Sequence, residues 1–276
     1  MAGRNRDKNP SRPPGPDNGP GRSGPGRRGR RAGGTDWVWG RHAVEAALAN
    51  PDRDCQRLAL TAEALADLAP DLAGRAAHRD VVGRGEVTRL LPPGAVHQGI
   101  ALLTGPPAAA DLEDLIRASG PAAVLVALDQ ASDPQNVGAV LRSAAAFGAT
   151  GLILPDRHSP PLTGTVLKAA SGAAERVPVA RVVNLAQTLE RLQATGFWCI
   201  GLDAAGAMPL DQAPLEGRVC LVLGAEGEGL RRLTRERCDA LARIPMASGT
   251  ESLNLAASAA VVLWECWRRR AAMTPG

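Results

Sequence analysis

Four short apolar runs in the second half of the chain constrain its fold more than anything else in the sequence. They are residues 124–128 (Val-Leu-Val-Ala-Leu), 151–154 (Gly-Leu-Ile-Leu), 198–202 (Trp-Cys-Ile-Gly-Leu) and 219–223 (Val-Cys-Leu-Val-Leu), with helical stretches at 137–147 and about 185–194 between them. A strand that is apolar at every position has no face for water, so both of its sides must be covered. Such strands alternating with helices predict a largely parallel sheet with helices on both faces, an α/β fold. In sheets of this kind ligands sit beyond the C-terminal ends of the strands.

Three polar blocks fall at those ends. The first, Asp133-Pro-Gln-Asn136-Val-Gly-Ala-Val-Leu-Arg142, follows the run that ends at Leu128. Pro134 suits the first turn of a helix. Asn136 and Arg142, a little under two helical turns apart, are expected to face the same general side. The second block, Gly224-Ala-Glu226-Gly-Glu-Gly229, follows the run at 219–223. Its spacing, Gly-x-x-Gly-x-Gly, is neither the Rossmann order nor a phosphate loop. That leaves backbone freedom and the carboxylate Glu226 at a strand end, with Glu228 as a solvated neighbour. The third, Ile244-Pro-Met-Ala-Ser-Gly-Thr-Glu-Ser252-Leu253-Asn254, opens the last helix, where Ser252 and Asn254 suit the N-cap region. After it come Ala256, Ala257, Ala260, Val261, Leu263, Trp264 and Trp267. Their spread over more than one face predicts a helix buried in a core and also in a subunit interface.

Composition excludes several classes. With 276 residues there is room for two domains, and five Trp, two Phe and no Tyr mean cores of Ala, Val and Leu. No run approaches the roughly 20 apolar residues of a membrane span, and the charged N-terminus lacks the apolar core of a secretory signal. A cytoplasmic protein without a membrane partner is expected. The five cysteines (55, 199, 220, 238 and 266) form no Cys-x-x-Cys pair and read as buried thiols. With four isolated histidines, no metal site is expected.

The formal charge of +4 is unevenly placed. Residues 1–34 hold eight Arg and one Lys against two Asp, while the rest carries 26 acidic and 23 basic groups. Those 34 residues also contain nine Gly and six Pro. They cannot bury enough surface to offset chain entropy, so a disordered basic tail that touches nucleic-acid phosphates is expected. Residues 35–104 read as a small α/β domain that binds rather than reacts. It has a helix at 42–49, a strand at 57–60, a helix at 62–77 interrupted at Pro70, and a closing strand at 94–103. Residues 105–119 read as a linker, and 120–276 as the catalytic domain.

Taken together, the three blocks closely resemble the motifs of the SpoU (TrmH-like) family of RNA ribose 2′-O-methyltransferases, in the knotted SPOUT class. The likeness covers residues from about 120 to 268. Trp39-Gly-Arg-His-Ala-Val-Glu45, Gly94-Ala-Val-His-Gln-Gly99 and Lys168-Ala-Ala-Ser-Gly-Ala-Ala-Glu175 extend it to the subgroup that methylates a guanosine ribose in 23S ribosomal RNA. The resemblance implies a trefoil knot and a homodimer with composite active sites. It also implies S-adenosyl-L-methionine held by backbone groups at Gly224, Ile244 and Leu253. On this reading Asn136 and Asn254 orient, and Ser252 and Glu226 position the nucleotide or Arg142. The family resemblance would make Arg142 the general base, but a guanidinium holds its proton far above neutral pH, so Arg142 is expected chiefly to stabilise the developing alkoxide and a phosphate. The RNA would be bound alone or within a precursor of the large subunit, by an N-terminal substrate-binding domain. One departure is Leu255-Ala-Ala257 where the family usually has Val-Ser-Val. Rival readings are a transfer-RNA ribose methyltransferase and a non-catalytic RNA-binding assembly factor. A nicotinamide oxidoreductase is disfavoured by the glycine spacing.

Overall fold

The computed structural model describes residues 35–248 and 252–273, so the basic tail lies outside the described residues. The chain begins with a four-stranded sheet built from β1 (Asp36–Trp39), β2 (Cys55–Leu60), β3 (His78–Val81) and β4 (Ile100–Thr104). The order is β1-β4-β2-β3, with β4 antiparallel to both neighbours and β3 parallel to β2. Helices α1 (Arg41–Ala49), α2 (Ala62–Asp67), α3 (Pro70–Ala73) and α4 (Arg84–Arg89) connect the strands. The Thr61 hydroxyl accepts from Ala64 N and caps α2. The helical stretch then breaks before Pro70, because the residue preceding a proline is pushed out of the helical region, and Ala69 is accordingly extended.

The expected strand at 94–103 is only half formed. Gly94, Gln98 and Gly99 have positive φ, which bends residues 94–99 into turns, and pairing starts at Ile100. His97 is folded inward there. Its Nδ1 accepts from Gly99 N at 3.1 Å, and its Nε2 lies 3.1 Å from Thr88 Oγ1. The Thr88 hydroxyl donates to the Arg84 carbonyl, so the imidazole supplies the other hydrogen and is neutral. Burial, and then the Arg84 charge, lower its pKa. Below the unfolded value of about 6.5 the unfolded chain therefore takes up a proton that the fold refuses, and stability falls as pH drops through that value. A urea midpoint lower at pH 5 than at pH 7.5 is expected, with the difference reduced in His97→Gln.

The second sheet has eight strands, all parallel. They are β5 (Ala109–Ala110), β6 (Val124–Asp129), β7 (Gly151–Pro155), β8 (Val179–Val182), β9 (Trp198–Leu202), β10 (Met208–Pro209), β11 (Val219–Gly224) and β12 (Ala240–Arg243). Their order is β10-β12-β9-β11-β6-β7-β8-β5. The helices are α5 (Leu112–Ala118), α6 (Pro134–Ala146), α7 (Gly164–Ala170), α8 (Leu185–Ala194), α9 (Arg232–Glu236) and α10 (Leu255–Met273). The segment 105–119, read above as a linker, thus contributes an edge strand and a helix whose Leu112 and Leu115 are buried.

Alternation along β6 shows why its apolar run is unbroken. Val124, Val126 and Leu128 join one core with Val137, Val140 and Leu141 of α6 and Val262 and Leu263 of α10. Leu125 and Ala127 join a second core with Leu115, Leu185, Leu189 and Leu192 of α5 and α8. The first core continues into Val44, Leu48 and Leu58 of the N-terminal sheet domain. The five cysteines are free, and burial pushes the Cys266 thiol up to about 12. Among the described residues, no helix is long and apolar enough to cross a membrane.

Candidate functional site

The three polar blocks meet at the C-terminal edge of the parallel sheet. Register does the first part: β11 lies beside β6, and Gly224 pairs with Asp129. Helix α6 starts just beyond β6, capped by Asp133, whose carboxylate accepts from Gln135 N. This places Asn136 in the first turn, 8% exposed.

Glu226 is the hub. Its Oε1 accepts from Asn136 Nδ2 at 2.8 Å, from Asn254 Nδ2 at 2.6 Å and from Leu255 N at 3.3 Å. Asn254 Nδ2 also reaches Asn136 Oδ1 at 3.1 Å, and Asn254 Oδ1 accepts from Ala256 N at 2.8 Å, capping α10. One carboxylate thereby holds residues that are 90 and 28 positions away in sequence. Sequence reading placed Glu226 against the nucleotide or Arg142; in the structure it joins the two asparagines and lines the cleft.

The loop carrying Glu226 is fixed at both ends. Gly229 N returns to Ala225 O at 3.0 Å, and a Cβ on Gly224 would collide with the Gly229 and Leu230 backbone. Beyond the turn, Arg231 donates from its backbone N (3.0 Å) and Nε (2.7 Å) to Asp129, a carboxylate with no exposed surface. Asp129 directly follows the apolar run 124–128 and was not singled out from the sequence. Its signal was a carboxylate ending a fully buried strand.

A cleft of about 480 Å³ opens beside this loop. Gly224, Ile244 and Leu253 line it, as do Glu226 and Ser252. Asn136 and Asn254 stand behind Glu226 rather than in the cleft wall. Two charged lining residues escaped the sequence reading: Asp203, just past β9, and Arg235 of α9, which form an ion pair at 3.3 Å. The volume suits a drug-sized ligand. Leu223, Leu230 and Ile244 offer apolar surface for a flat ring, the strand-end backbone offers hydrogen bonds, and Asp203 and Glu226 offer negative charge to a cation. That set fits an adenosine joined to a sulfonium amino acid. Among the described residues no group of His, Cys, Asp or Glu could hold a metal.

Arg142 is elsewhere. Six residues place it about 120° around the helix from Asn136, given 3.6 residues per turn. While Asn136 turns in to Glu226, Arg142 is exposed and has no hydrogen bond or ion pair with any described residue. The two side chains do not share a side, contrary to the expectation from spacing. Helices α6 and α10 run together from the Asn136–Asn254 bond to a Phe147–Trp267 ring contact at 6.5 Å. Along α10, Val261, Trp264 and Trp267 are 39%, 46% and 49% exposed.

Comparison with known proteins adds to this geometry. A family model described as SpoU rRNA Methylase family matches residues 123–264, and one described as RNA 2′-O ribose methyltransferase substrate binding matches residues 37–109. The 23S rRNA (guanosine-2′-O-)-methyltransferase RlmB of Xylella fastidiosa is 41% identical over 243 residues, 85% of this chain and 96% of that protein. A Synechocystis protein named as the uncharacterized tRNA/rRNA methyltransferase slr0955 is 42% identical over 242 residues, 85% of this chain. The match spans 63% of slr0955, less than two thirds of its length. The crystal structure of AdoMet-bound rRNA methyltransferase from Sinorhizobium meliloti superposes with a TM-score of 0.73 at 25% identity, covering 85% of this chain and 87% of that one.

Proposed function

The chain belongs to the SpoU rRNA methylase family, and on that premise we propose that it methylates the ribose 2′-oxygen of a guanosine in 23S ribosomal RNA, using S-adenosylmethionine. The observation that carries this reading is the convergence of the three polar blocks on Glu226 at the rim of a donor-sized cleft. The bound donor supplies a methyl group activated by its sulfonium.

The protein's own residues bind and orient. Backbone groups at Gly224, Ile244 and Leu253 hold the donor, and Ser252 at the cleft wall positions the nucleotide. Asn136 and Asn254, locked through Glu226, fix the loops on either side, which supplies rate through orientation. Guanosine and ribosomal RNA are supported by the name of the Xylella relative. Unpaired RNA gives access to both ribose and base edges. The knot of the SPOUT class belongs to the same proposal, supported by β9 lying between β12 and β11. So does the cytoplasm as the place of action.

Arg142, which does not line the cleft of its own chain, fits a composite site in a homodimer. The exposed apolar residues Val261, Trp264 and Trp267 supply the surface for a second copy. Paired Trp264→Glu and Trp267→Glu substitutions are expected to give a monomer by ultracentrifugation that binds donor but transfers no methyl. An unchanged dimer would remove this interface from the proposal.

The main test is tritium transfer from labelled S-adenosylmethionine, with mapping of 2′-O-methyl sites in ribosomal RNA from cells with and without the protein. A mark on a 23S guanosine that disappears with the protein is expected. Transfer only to transfer RNA would replace the substrate, and binding without transfer would make the protein an assembly factor.

A further inference from the structure

We propose that a buried ion pair between the N-terminal sheet domain and the methyltransferase domain, Arg53 with Glu175, is a registry pin that holds the first domain at one position on α7. The distance from RNA-binding surface to transfer cleft would then select the nucleotide. The selection step rests on the reading above, in which residues 37–109 hold RNA; the pin itself does not.

Segment 164–175 is engaged by the N-terminal domain along its length. At its start Asp36 Oδ2 accepts from Gly164 N at 2.9 Å, and a Cβ on Gly164 would collide with the Trp37 carbonyl and the Trp39 ring. In its middle Lys168 Nζ donates at 3.1 Å to Gln98 Oε1, which also accepts from Arg41 N. At its end, in a 3₁₀ turn, Glu175 accepts from Asn50 Nδ2 at 2.8 Å through Oε2 and faces Arg53 Nε at 3.5 Å through Oε1. Lys168 to Glu175 is one of the segments that resemble the guanosine methylases. Its polar residues at both ends are domain contacts.

The pair is poorly suited to stabilising anything. The Arg53 and Glu175 side chains are 1% and 7% exposed, and all three guanidinium nitrogens of Arg53 lack a hydrogen-bond partner. Burial pushes the pKa of Arg53 down, with Glu175 opposing. Desolvating such a pair costs about as much as the attraction returns, and apolar replacements are often as stable. Its physical effect is on alternatives. Sliding the domain along α7 by one helical turn, about 5.4 Å, would strand two buried charges. An apolar interface tolerates such a slide; this one does not.

The fixed position also bears on the site. On its other side α7 packs across α6, where Gly138 leaves room for Ala169 and Ala170. Gly138 lies between Asn136 and Arg142, so the N-terminal domain, α7 and the site helix are stacked in that order. Arg53 and Glu175 act through this stack and are positioning residues.

The test replaces both charges by apolar groups in the full-length protein, Arg53→Met with Glu175→Leu. Spin labels go on Val96→Cys and Val183→Cys, two exposed positions in the two domains. The parent should give one narrow distance and the double variant a broadened one, with S-adenosylmethionine affinity unchanged and the melting temperature lower only by the lost Asn50 hydrogen bond. With RNA, kcat at the parent's site should fall up to about a hundredfold, as for misplacement by an ångström. KM for RNA should hold, and new methylated positions should appear. A narrow distance in the double variant, or a broad one with the same kcat and site map, overturns the proposal. If the double variant does not fold, Lys168→Met removes a different polar tie, the one to Gln98, and smaller changes in both readouts are required of it. A parent protein that marks no RNA refutes the methyltransferase reading instead, and the distances still decide the pin.

Discussion

Arg142→Ala is expected to lower the methyl-transfer rate by about two to three orders of magnitude, the usual effect of deleting one preorganised donor aimed at developing negative charge. Donor affinity should stay within about twofold, because Arg142 does not line the cleft. Folding should be unaffected as well, since surface substitutions away from special features change stability little. The guanidinium is exposed, has no partner among the described residues, and stands on a helix whose first turn is locked to Glu226. A cation kept free on a rigid element is positioned for a ligand that brings its own negative charge, such as the attacking oxygen and a neighbouring phosphate. Arg142→Lys separates charge from geometry, because an ammonium lacks the planar fork of donors. Single-turnover rates with saturating donor would measure both variants. Near-normal turnover in Arg142→Lys would remove the specific role of the guanidinium, and near-normal turnover in Arg142→Ala would remove the residue from the chemistry.

The parts of this molecule that were legible in sequence are those written in local periodicity. The unbroken apolar run of β6 implied two covered faces, and its residues do feed two separate cores. The polar blocks at strand ends implied convergence, and they converge. Information that is tertiary was not legible. Asp129 and Arg231 are 102 positions apart, and nothing local marks them as partners. The mutual orientation of Asn136 and Arg142 was misjudged because six residues is a poor match to a 3.6-residue turn. Residues 94–99 looked like strand by composition, but positive φ at Gly94, Gln98 and Gly99 and an inward His97 replace pairing with turns. Residues 105–119 looked like a linker because two-residue β5 is too short to leave a pattern, while α5 hides its buried Leu112 and Leu115 in a short amphipathic stretch. At Asp129 and at residues 94–99 a contact made elsewhere in the chain decides the outcome; at Arg142 and β5 the local signal itself is weak.

Gly224→Val should abolish S-adenosylmethionine binding, raising the dissociation constant on the order of a hundredfold or more, a loss of roughly 2.7 kcal/mol. The reason is proximity rather than backbone conformation. Gly224 ends β11 in ordinary strand geometry, but the returning Gly229–Leu230 backbone occupies the space a side chain would need. Backbone cannot rotate aside as a side chain can, so the loop must move bodily. It is held by Asp129 at its far end and by Asn136 and Asn254 at Glu226, and movement breaks one of these ties. Both outcomes displace a wall of the cleft. The cost to folding should be smaller, because overpacking typically costs about 1–3 kcal/mol, and a domain of this size loses about 2–4 °C of melting temperature per kcal/mol. Gly227→Ala is the control: its φ is positive, yet a Cβ there meets nothing, so it carries conformational strain without displacing a neighbour. Calorimetric titration of both variants should show binding lost in the first and weakened in the second. Equal weakening in the two would mean that strain in the turn, not the closeness of the two backbone segments, governs the shape of the cleft.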